Sequence, residues 1–305
     1  YCGHGARIEK FGSVGSLPVR KYFPWLVLEN SETNEFIGIQ LYCASSWQME
    51  LIVKYDDVLM VEVGLADRDY GHWMKELVPG EKFTTPEAVI VTGDSMEIVC
   101  ERMVRAQRPN ISPVDEGMPI AFNEYCATWG DPTFESVSKA CEKIAGRGFK
   151  YFTIDSGWYA EKENWWTRIG DWDINETRFP GGLKPTCDLV RSKGMIPGVW
   201  FELESLGSAC KYYDKLEYLL CKDGYPIQVG DRRFWDMENP FVIDYLSEKV
   251  IGMLKESGFG YVKIDYNDDL GIGVDDYEGL GEGLRKKIKA TQKFFEKIRE
   301  EIPDI

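Results

Sequence analysis

The pattern of apolar and polar residues changes once along the chain, near residue 112. Before that point, short apolar runs alternate with polar turns, which is typical of antiparallel β-structure. The runs predict strands over residues 25–28, 36–42, 49–55, 58–63 and 83–92, with a helix over residues 96–105. Residues 108–113 have the composition of a linker. We therefore predict that residues 1–112 form part of an N-terminal β-sandwich domain.

After residue 112, each strand pattern is followed by a helix pattern, which is typical of β/α folds. The predicted strands are residues 119–122, 151–154, 196–201 and 261–267, and the predicted helices are residues 132–146, 184–193, 242–257 and 284–301. We expect Asp131 to cap the first of these helices, with Pro132 in its first turn. Right-handed crossovers would place the four strands side by side in parallel. Residues 113–305 are therefore predicted to form strands 1–4 of a (β/α)8 TIM barrel.

Four such units are half of an eight-stranded barrel. A half barrel leaves two open strand edges and an unclosed core, which is unfavourable in a soluble monomer. We therefore expect this sequence to be a segment of a longer polypeptide. The alternative is an open α/β sheet that is complete as it stands.

Charge and composition exclude several classes of function. Lys and Arg total 36 and Asp and Glu total 51, so the net charge is −15 and nucleic-acid binding is not expected. No apolar run is long enough to cross a bilayer, so we expect no membrane partner. The eight cysteines contain no C-x-x-C pair and only two histidines are present, so we expect neither a metal site nor a cofactor. Cysteines in apolar surroundings favour buried free thiols and a cytoplasmic location.

Acidic and aromatic residues mark the carboxyl ends of three predicted strands. They are Asp155 with Trp158, Trp200 with Glu202 and Glu204, and Lys263 with Asp265. In a β/α barrel these ends converge on one face. Carboxylates and aromatics without histidine or metal indicate glycoside chemistry, in which one carboxylate attacks the anomeric carbon and another protonates the leaving oxygen. Lys263 projects to the same side as Asp265 and would lower the pKa of its carboxyl, although a structural ion pair is the alternative reading.

Six segments, in order, resemble motifs of glycoside hydrolase family 36, the α-galactosidase family. They are L-V-P-G-E-K-F-T-T-P-E at 77–87, I-D-S-G-W at 154–158, I-G-D-W at 169–172, F-P-G-G-L at 179–183, G-V-W-F-E-L-E at 198–204 and K-I-D-Y-N at 263–267. The resemblance implies a retaining hydrolase that cleaves terminal α-galactosides or α-N-acetylgalactosaminides through a covalent glycosyl-Asp intermediate. It also implies that an early part of a β-supersandwich precedes Tyr1 and that more barrel strands and a C-terminal β-domain follow Ile305. We expect the full-length protein to be a homo-oligomer that binds oligosaccharides or glycoconjugates.

The resemblance also implies roles for individual residues. Asp265 corresponds to the nucleophile, and the residues implied in substrate binding are Lys263, Asp155, Ser156, Trp200, Asn267, Asp171 and Trp172. The family's general acid/base is an Asp on the sixth strand, beyond Ile305, so we assign that role to no residue of this chain. The segment alone is therefore expected to be inactive.

The chain departs from the family pattern at two places. Ser156 stands where the family has a second Asp, one of a pair that holds the sugar's O4 and O6, so strict galactose specificity is in doubt. The first strand ends in N-E-Y-C at 123–126 where the family usually shows N-x-W-E, so Tyr125 or Trp129 would replace a Trp of the pocket wall. A transglycosylase of the raffinose-synthase type and a non-catalytic carbohydrate-binding protein are the alternative functions.

Overall fold

A computed structural model describes residues 7–17, 19–54, 58–107 and 111–305, with the side chains of residues 162 and 163 outside that description. Residue 55 of a predicted strand and residues 108–110 of the predicted linker also lie outside the described residues. The chain divides into two compact units. The first comprises Tyr1–Asn110, Lys222–Gly224 and Asp268–Lys289, and the second comprises Ile111–Cys221, Tyr225–Asn267 and Ala290–Ile305. The first unit thus takes two segments from the part of the sequence that we expected to form the barrel.

The first unit is built from antiparallel strands. They are β1 Arg7–Ser13, β2 Trp25–Asn30, β3 Glu35–Tyr42, β4 Trp47–Val53, β5 Leu59–Leu65 and β6 Glu87–Gly93, with helices α1 Arg68–Gly71 and α2 Met96–Gln107. Two three-stranded sheets result, in the orders β1-β4-β5 and β2-β3-β6. The strands predicted over residues 25–28 and 36–42 are confirmed, and they pair with each other as the antiparallel strands β2 and β3. The strand predicted over residues 83–92 begins only after Pro86, which has no N–H for the ladder, and β1 was not predicted.

The second unit contains a four-stranded parallel sheet. Its strands are β7 Ile120–Asn123, β8 Phe149–Ile154, β9 Ile196–Phe201 and β15 Tyr261–Ile264. Five short strands outside this sheet lie between β9 and β15 along the chain: β10 Ser205–Leu206, β11 Cys221–Lys222, β12 Tyr225–Pro226, β13 Gln228–Val229 and β14 Arg232–Phe234. The order in the sheet is β7-β8-β9-β15, so the four parallel strands lie side by side in the same order as they occur along the chain. The four predicted strands are confirmed. The last ends at Ile264, so Asp265 and Asn267 lie just beyond it.

Helices lie between these strands and after the last of them. They are α3 Tyr125–Thr128, α4 Phe134–Ile144, α5 Lys184–Ser192, α6 Pro240–Leu246, α7 Met253–Ser257 and α8 Leu280–Glu301. A π-helical segment, Ser247–Gly252, joins α6 to α7, so the helix predicted over residues 242–257 is not uniform. Helix α6 begins before residue 242, because the Asn239 side chain caps it by accepting the Phe241 N–H and Pro240 occupies its first position.

The predicted cap of α4 is wrong. Thr133, and not Asp131, is the N-cap, because its hydroxyl accepts a hydrogen bond from the Ser136 N–H while the Ser136 hydroxyl accepts one from the Thr133 N–H. Asp131 instead forms an ion pair with the buried guanidinium of Arg178, at 2.5 Å. Pro132 therefore precedes the helix.

The core of the second unit is rich in large aromatic side chains. Its fully buried rings include Phe152, Trp158, Trp172, Trp200, Phe201 and Trp235. Several of these residues belong to the strand ends or to the loops that follow them, so the core continues directly into the candidate site. Three of the seven cysteines in the described part of the chain are buried, and all seven are free thiols. Among the described residues, no helix is both long enough and apolar enough to cross a membrane.

Candidate active site

The register of the parallel sheet brings the carboxyl ends of its strands level with one another. Ile154 pairs with Val199, and Ile264 pairs with Phe201. The residue that directly follows the last position of each of the four strands is a carboxylate. These are Glu124, Asp155, Glu202 and Asp265. The sheet therefore collects four acidic side chains at one edge, as expected for strand ends of a β/α fold.

Asp265 is held in a defined orientation. The Trp200 indole Nε1–H donates to Asp265 Oδ2 at 3.1 Å, and the Tyr266 backbone N–H donates to Oδ1 at 3.1 Å. The backbone N–H of Asp265 donates to the Phe201 carbonyl at 2.8 Å, which continues the pairing of β15 with β9. The carboxylate is only partly buried, so it combines a fixed position with access to solvent.

Lys263 contacts a different carboxylate from the one we expected. Its ammonium lies 2.8 Å from Asp155 Oδ2, whereas we expected it to act on Asp265. Asp155 is 3% exposed, and its other oxygen accepts the Ser156 N–H at 2.8 Å. The alternation within β15 predicted which side Lys263 faces, but β8, which is separated from β15 by β9 in the sheet, supplies the acid that Lys263 binds. The sugar-binding candidates Lys263 and Asp155 therefore form one ion pair.

Ser156 is buried beside this pair. Its side chain is 1% exposed, and its hydroxyl makes no hydrogen bond to any of the described residues. A buried hydroxyl without a partner is unfavourable. One of the two positions at which the chain departs from the family pattern thus carries a buried hydroxyl with no hydrogen-bond partner among the described residues.

Glu124 is a residue that the sequence analysis missed as a site candidate. Its Oε1 accepts the Asp155 backbone N–H at 2.9 Å, and its Oε2 accepts the Thr128 hydroxyl. Burial raises the pKa of Glu124 to about 7, against the lowering effect of the Thr128 hydrogen bond. The available signal was its position directly after β7, which matches the position of Asp155 after β8.

Glu202 organises the centre of the strand ends. The carboxylate is fully buried and contacts Arg232, with Nε 2.9 Å from Oε1 and Nη2 3.2 Å from Oε2. The Asn267 amide donates to Oε2 at 3.0 Å. Asn267 is thus brought to Glu202, and Arg232, on β14, is a second residue that the sequence motifs did not indicate.

Asp171 and Trp172 are packed into the loop after β8. Asp171 Oδ1 accepts the Lys211 backbone N–H at 3.1 Å, and its Oδ2 lies 3.4 Å from the Arg168 guanidinium. Trp172 is 2% exposed, has a left-handed backbone (φ 54°) and stacks on Trp158 with ring centres 6.0 Å apart. Both residues therefore hold the loop in place, which is a structural role compatible with the site nearby.

Glu204 follows Glu202 by two residues and has a different hydrogen-bond partner. Its Oε1 accepts the Thr291 hydroxyl at 2.8 Å. Burial raises the pKa of Glu204 to about 7, and the negative charge of Glu202 adds to this rise. A carboxyl that is buried and bonded in this way is a poor candidate for direct contact with substrate.

Replacing Glu204 with glutamine should change how stability depends on pH. The folded pKa of about 7 exceeds the ordinary value of 4.5, so the folded state binds this proton more tightly than the unfolded state does. The wild-type protein should therefore lose stability as pH rises from about 4.5 to 7, and E204Q should lack this component. We expect E204Q to gain on the order of 2 kcal/mol relative to wild type at pH 8, and nothing at pH 4. Urea unfolding at both pH values measures the difference, with exposed Glu217→Gln as control; parallel pH profiles for wild type and E204Q would contradict this prediction.

Within the described residues, no group of three or more His, Cys, Asp or Glu side chains is arranged to hold a metal ion. The strand-end carboxylates instead accept hydrogen bonds from other groups. Asp155 binds Lys263, Glu202 binds Arg232 and Asn267, and Asp265 accepts from Trp200 and the Tyr266 backbone N–H. The arrangement thus offers one accessible oriented carboxylate, an adjacent lysine–aspartate pair and an aromatic wall.

Comparison with known proteins relates the chain to glycosidases. The family model described as Melibiase matches residues 82–304. Alpha-galactosidase Mel36A of Lactobacillus acidophilus is 26% identical over 321 residues, which cover 99% of this chain and 42% of Mel36A. The crystal structure of α-galactosidase AgaA from Geobacillus stearothermophilus has a TM-score of 0.85 at 24% identity and covers 98% of this chain and 43% of AgaA. A variant of AgaA in complex with raffinose gives a TM-score of 0.84 at 24% identity, with the same coverage. The chain thus shares the fold of AgaA and spans less than half the length of these relatives.

Proposed function

This chain belongs to the melibiase family, and we propose that the protein is a retaining glycosidase that cleaves terminal α-galactosides with Asp265 as its nucleophile. The observation that carries the proposal is the state of the Asp265 carboxylate. It lies at a strand end, is open to solvent, and has both oxygens oriented by N–H donors from Trp200 and Tyr266. A carboxylate that attacks an anomeric carbon must be ionised, accessible and fixed in direction.

The reaction would proceed in two steps. An oxygen of Asp265 forms a bond to the anomeric carbon while the bond from that carbon to the leaving oxygen breaks, and a second carboxyl group delivers a proton to the leaving oxygen. Water then attacks the anomeric carbon while the bond from that carbon to the Asp265 oxygen breaks. One proton of the water passes to the second carboxyl group, which had lost its own, and the sugar is released. We assign the proton-donating role to neither Glu202 nor Glu204, because the first is held by Arg232 and Asn267 and the second by Thr291.

The remaining candidates would hold the sugar. The Lys263–Asp155 pair presents an ammonium and a carboxylate to hydroxyl groups. The Ser156 hydroxyl has no hydrogen-bond partner among the described residues, and the Trp200 indole donates to the nucleophile. A variant of the related enzyme AgaA forms a crystalline complex with raffinose, which supports an oligosaccharide with a terminal α-galactosyl unit as the substrate. The N-acetylated analogue is the alternative, since the contacts that separate the two sugars are not among the residues assigned here.

We extend the proposal to the architecture and assembly. The four-stranded parallel sheet would be strands 1–4 of a (β/α)8 barrel, and the antiparallel sheets of the first unit would belong to a β-sandwich domain of a homo-oligomeric protein. The strand order β7-β8-β9-β15 supports the barrel, because each strand lies beside its successor in the parallel sheet.

A covalent trapping experiment tests the assignment of the nucleophile. The natural gene product is incubated with a fluorinated galactosyl inhibitor that stabilises the glycosyl–enzyme ester, digested, and analysed by mass spectrometry. We expect one labelled peptide, with the label on Asp265. A label on another carboxylate would refute the role of Asp265, and failure to label an enzyme that hydrolyses α-galactosides would refute the covalent mechanism.

A further inference from the structure

Glu124 contacts the proposed sugar-binding pair through the backbone of Asp155. Its Oε1 accepts the Asp155 N–H at 2.9 Å, while its own N–H donates to the Thr153 carbonyl at 3.2 Å. The Asp155 carboxylate has other partners, since Oδ2 lies 2.8 Å from the Lys263 ammonium and Oδ1 accepts the Ser156 N–H. Glu124 therefore holds the end of β8 in place without occupying either oxygen of the Asp155 carboxylate.

Burial and hydrogen bonding act on the charge of Glu124 in opposite directions. The residue is 1% exposed, and this burial raises the pKa of its carboxyl to about 7. Both of its oxygens accept hydrogen bonds, Oε2 from the Thr128 hydroxyl and Oε1 from the Asp155 N–H. Two donors favour the ionised form, because a carboxylate offers only acceptors. Both forms of Glu124 are therefore populated near neutral pH.

Charged groups from three neighbouring elements face Glu124. The negative charge of Asp155, after β8, adds to the rise in the pKa of Glu124, and the positive charge of Lys263, on β15, opposes it. From α4, Lys139 and Lys143 line a cavity of about 370 Å³ that Glu124 also lines. Both of these lysines are exposed, so solvent screens their charges. The charge of Glu124 is thus coupled mainly to the Asp155–Lys263 pair.

We propose that Glu124 is a positioning residue whose carboxylate sets how strongly the Asp155–Lys263 pair holds the sugar. The inference rests on the proposed function, in which this pair contacts hydroxyl groups of the bound sugar. Ionised Glu124 binds the Asp155 N–H more strongly than the neutral form does, and its negative charge makes Asp155 a stronger acceptor for a hydroxyl group. Galactose therefore binds more tightly when Glu124 is ionised, and protonation of Glu124 weakens that binding.

Replacing Glu124 with glutamine separates the charge of the side chain from its shape. The amide oxygen can still accept the Asp155 N–H, but the side chain is neutral at every pH. Calorimetry on the natural gene product measures the dissociation constant of galactose at pH 5.5 and at pH 8. We expect the wild-type protein to bind galactose about fourfold more tightly at pH 8 than at pH 5.5. E124Q should bind galactose equally at both pH values, with the affinity that the wild type has at pH 5.5.

Proton release on binding is a readout that a purely structural role would not change. If the sugar prefers ionised Glu124, then its binding must expel a proton from this carboxyl. Binding enthalpies at pH 7 in two buffers of different ionisation enthalpy should show about one third of a proton released per galactose by wild type, and none by E124Q. Thr128→Val removes a donor to Glu124 and should move the change in affinity to higher pH.

Glu142 provides the matched control, because it is an exposed glutamate of α4, and E142Q should behave as wild type does. Wild-type affinity that does not change with pH, or equal weakening by E124Q at both pH values, would overturn the inference. Proton release is measured on the wild-type protein, so its absence overturns the inference even if E124Q does not fold.

The outcomes also distinguish this inference from the proposed function. A wild-type protein that hydrolyses an α-galactoside but releases no proton on binding galactose would refute the role of Glu124 alone. Galactose binding with the expected proton release, but without hydrolysis of any α-galactoside, would support Glu124 and count against the catalytic assignment. A wild-type protein that binds no galactose at either pH would overturn both.

Discussion

Replacing Asp265 with asparagine should lower the turnover of an α-galactoside by at least about 10⁴-fold and leave the protein folded. An amide cannot form the glycosyl ester, so the effect falls on the chemical step. The side chain keeps its size, and its carbonyl oxygen can still accept one of the two N–H groups, from Trp200 or Tyr266, that orient the carboxylate. Steady-state kinetics on the natural gene product measures the loss, and urea unfolding shows that the structure is retained.

Asp188 provides the control for this substitution. It lies on the exposed face of α5 and forms an ion pair with Lys184 at 2.8 Å, so Asp188→Asn should leave kcat and KM unchanged. Loss of activity in D265N without unfolding, together with normal activity in D188N, isolates the role of the strand-end carboxylate. More than about one tenth of wild-type turnover in D265N would be incompatible with a nucleophile at this position.

The strands that position Asp265 could be predicted from the sequence because their information is local. Residues 196–201 are a short apolar run between a glycine stop and two glutamates, and the structure has β9 at Ile196–Phe201. The repeated succession of strand, acid and helix also predicted that neighbouring strands would be parallel, as the register of β8, β9 and β15 confirms. Placing Asp265 and Asp155 at one edge follows from this regularity alone.

The partners of the charged groups could not be predicted in the same way. Lys263 is two residues from Asp265 and 108 from Asp155, yet it binds Asp155 because β8 and β15 bring their ends to the same edge of the sheet. The cap of α4 has the same explanation, since Asp131 and Thr133 are both good N-cap residues and the distant Arg178 decides between them. Sequence spacing predicts the side of a strand on which a residue lies, and tertiary contacts then choose among the charges on that side.

Residues outside the motifs were missed for a related reason. Glu124 and Arg232 become part of the site only through the strands β7 and β14 that carry them, and neither lies in a segment matching a motif apart from the altered N-E-Y-C. The ring contact between Tyr125 and Trp165 joins two segments that are separated in the sequence by helix α4 and strand β8. A composition with 13% aromatic residues was compatible with either a large core or a carbohydrate surface, and the structure contains a buried cluster that continues into exposed rings.

Replacing Lys263 with methionine should destabilise the protein by about 2 kcal/mol, because Asp155 would remain buried without its cation. This loss of unfolding free energy is smaller than for a fully buried ion pair, because the Lys263 side chain is 35% exposed and solvent screens its charge. Asp155→Asn alone removes the charge that needs compensation, so the double variant should be more stable than the sum of the single changes predicts. Urea unfolding of the four proteins gives the coupling energy directly. Both single variants should also bind galactose more weakly, since each removes a group proposed to contact the sugar.

The exposed pair Lys184–Asp188 on α5 is the matched control, and its coupling energy should not exceed about 0.5 kcal/mol. A further test follows from Glu124, whose pKa is raised to about 7 mainly by burial, while the charge of Asp155 adds to the rise and the charge of Lys263 opposes it. At pH 5 Glu124 is largely protonated, so K263M leaves one buried carboxylate without a cation, whereas at pH 8 it leaves two neighbouring ones. The destabilisation by K263M should therefore be larger at pH 8 than at pH 5, and Glu124→Gln should remove that difference. Equal destabilisation at both pH values would mean that Lys263 acts on Asp155 alone and that Glu124 is not electrostatically part of the site.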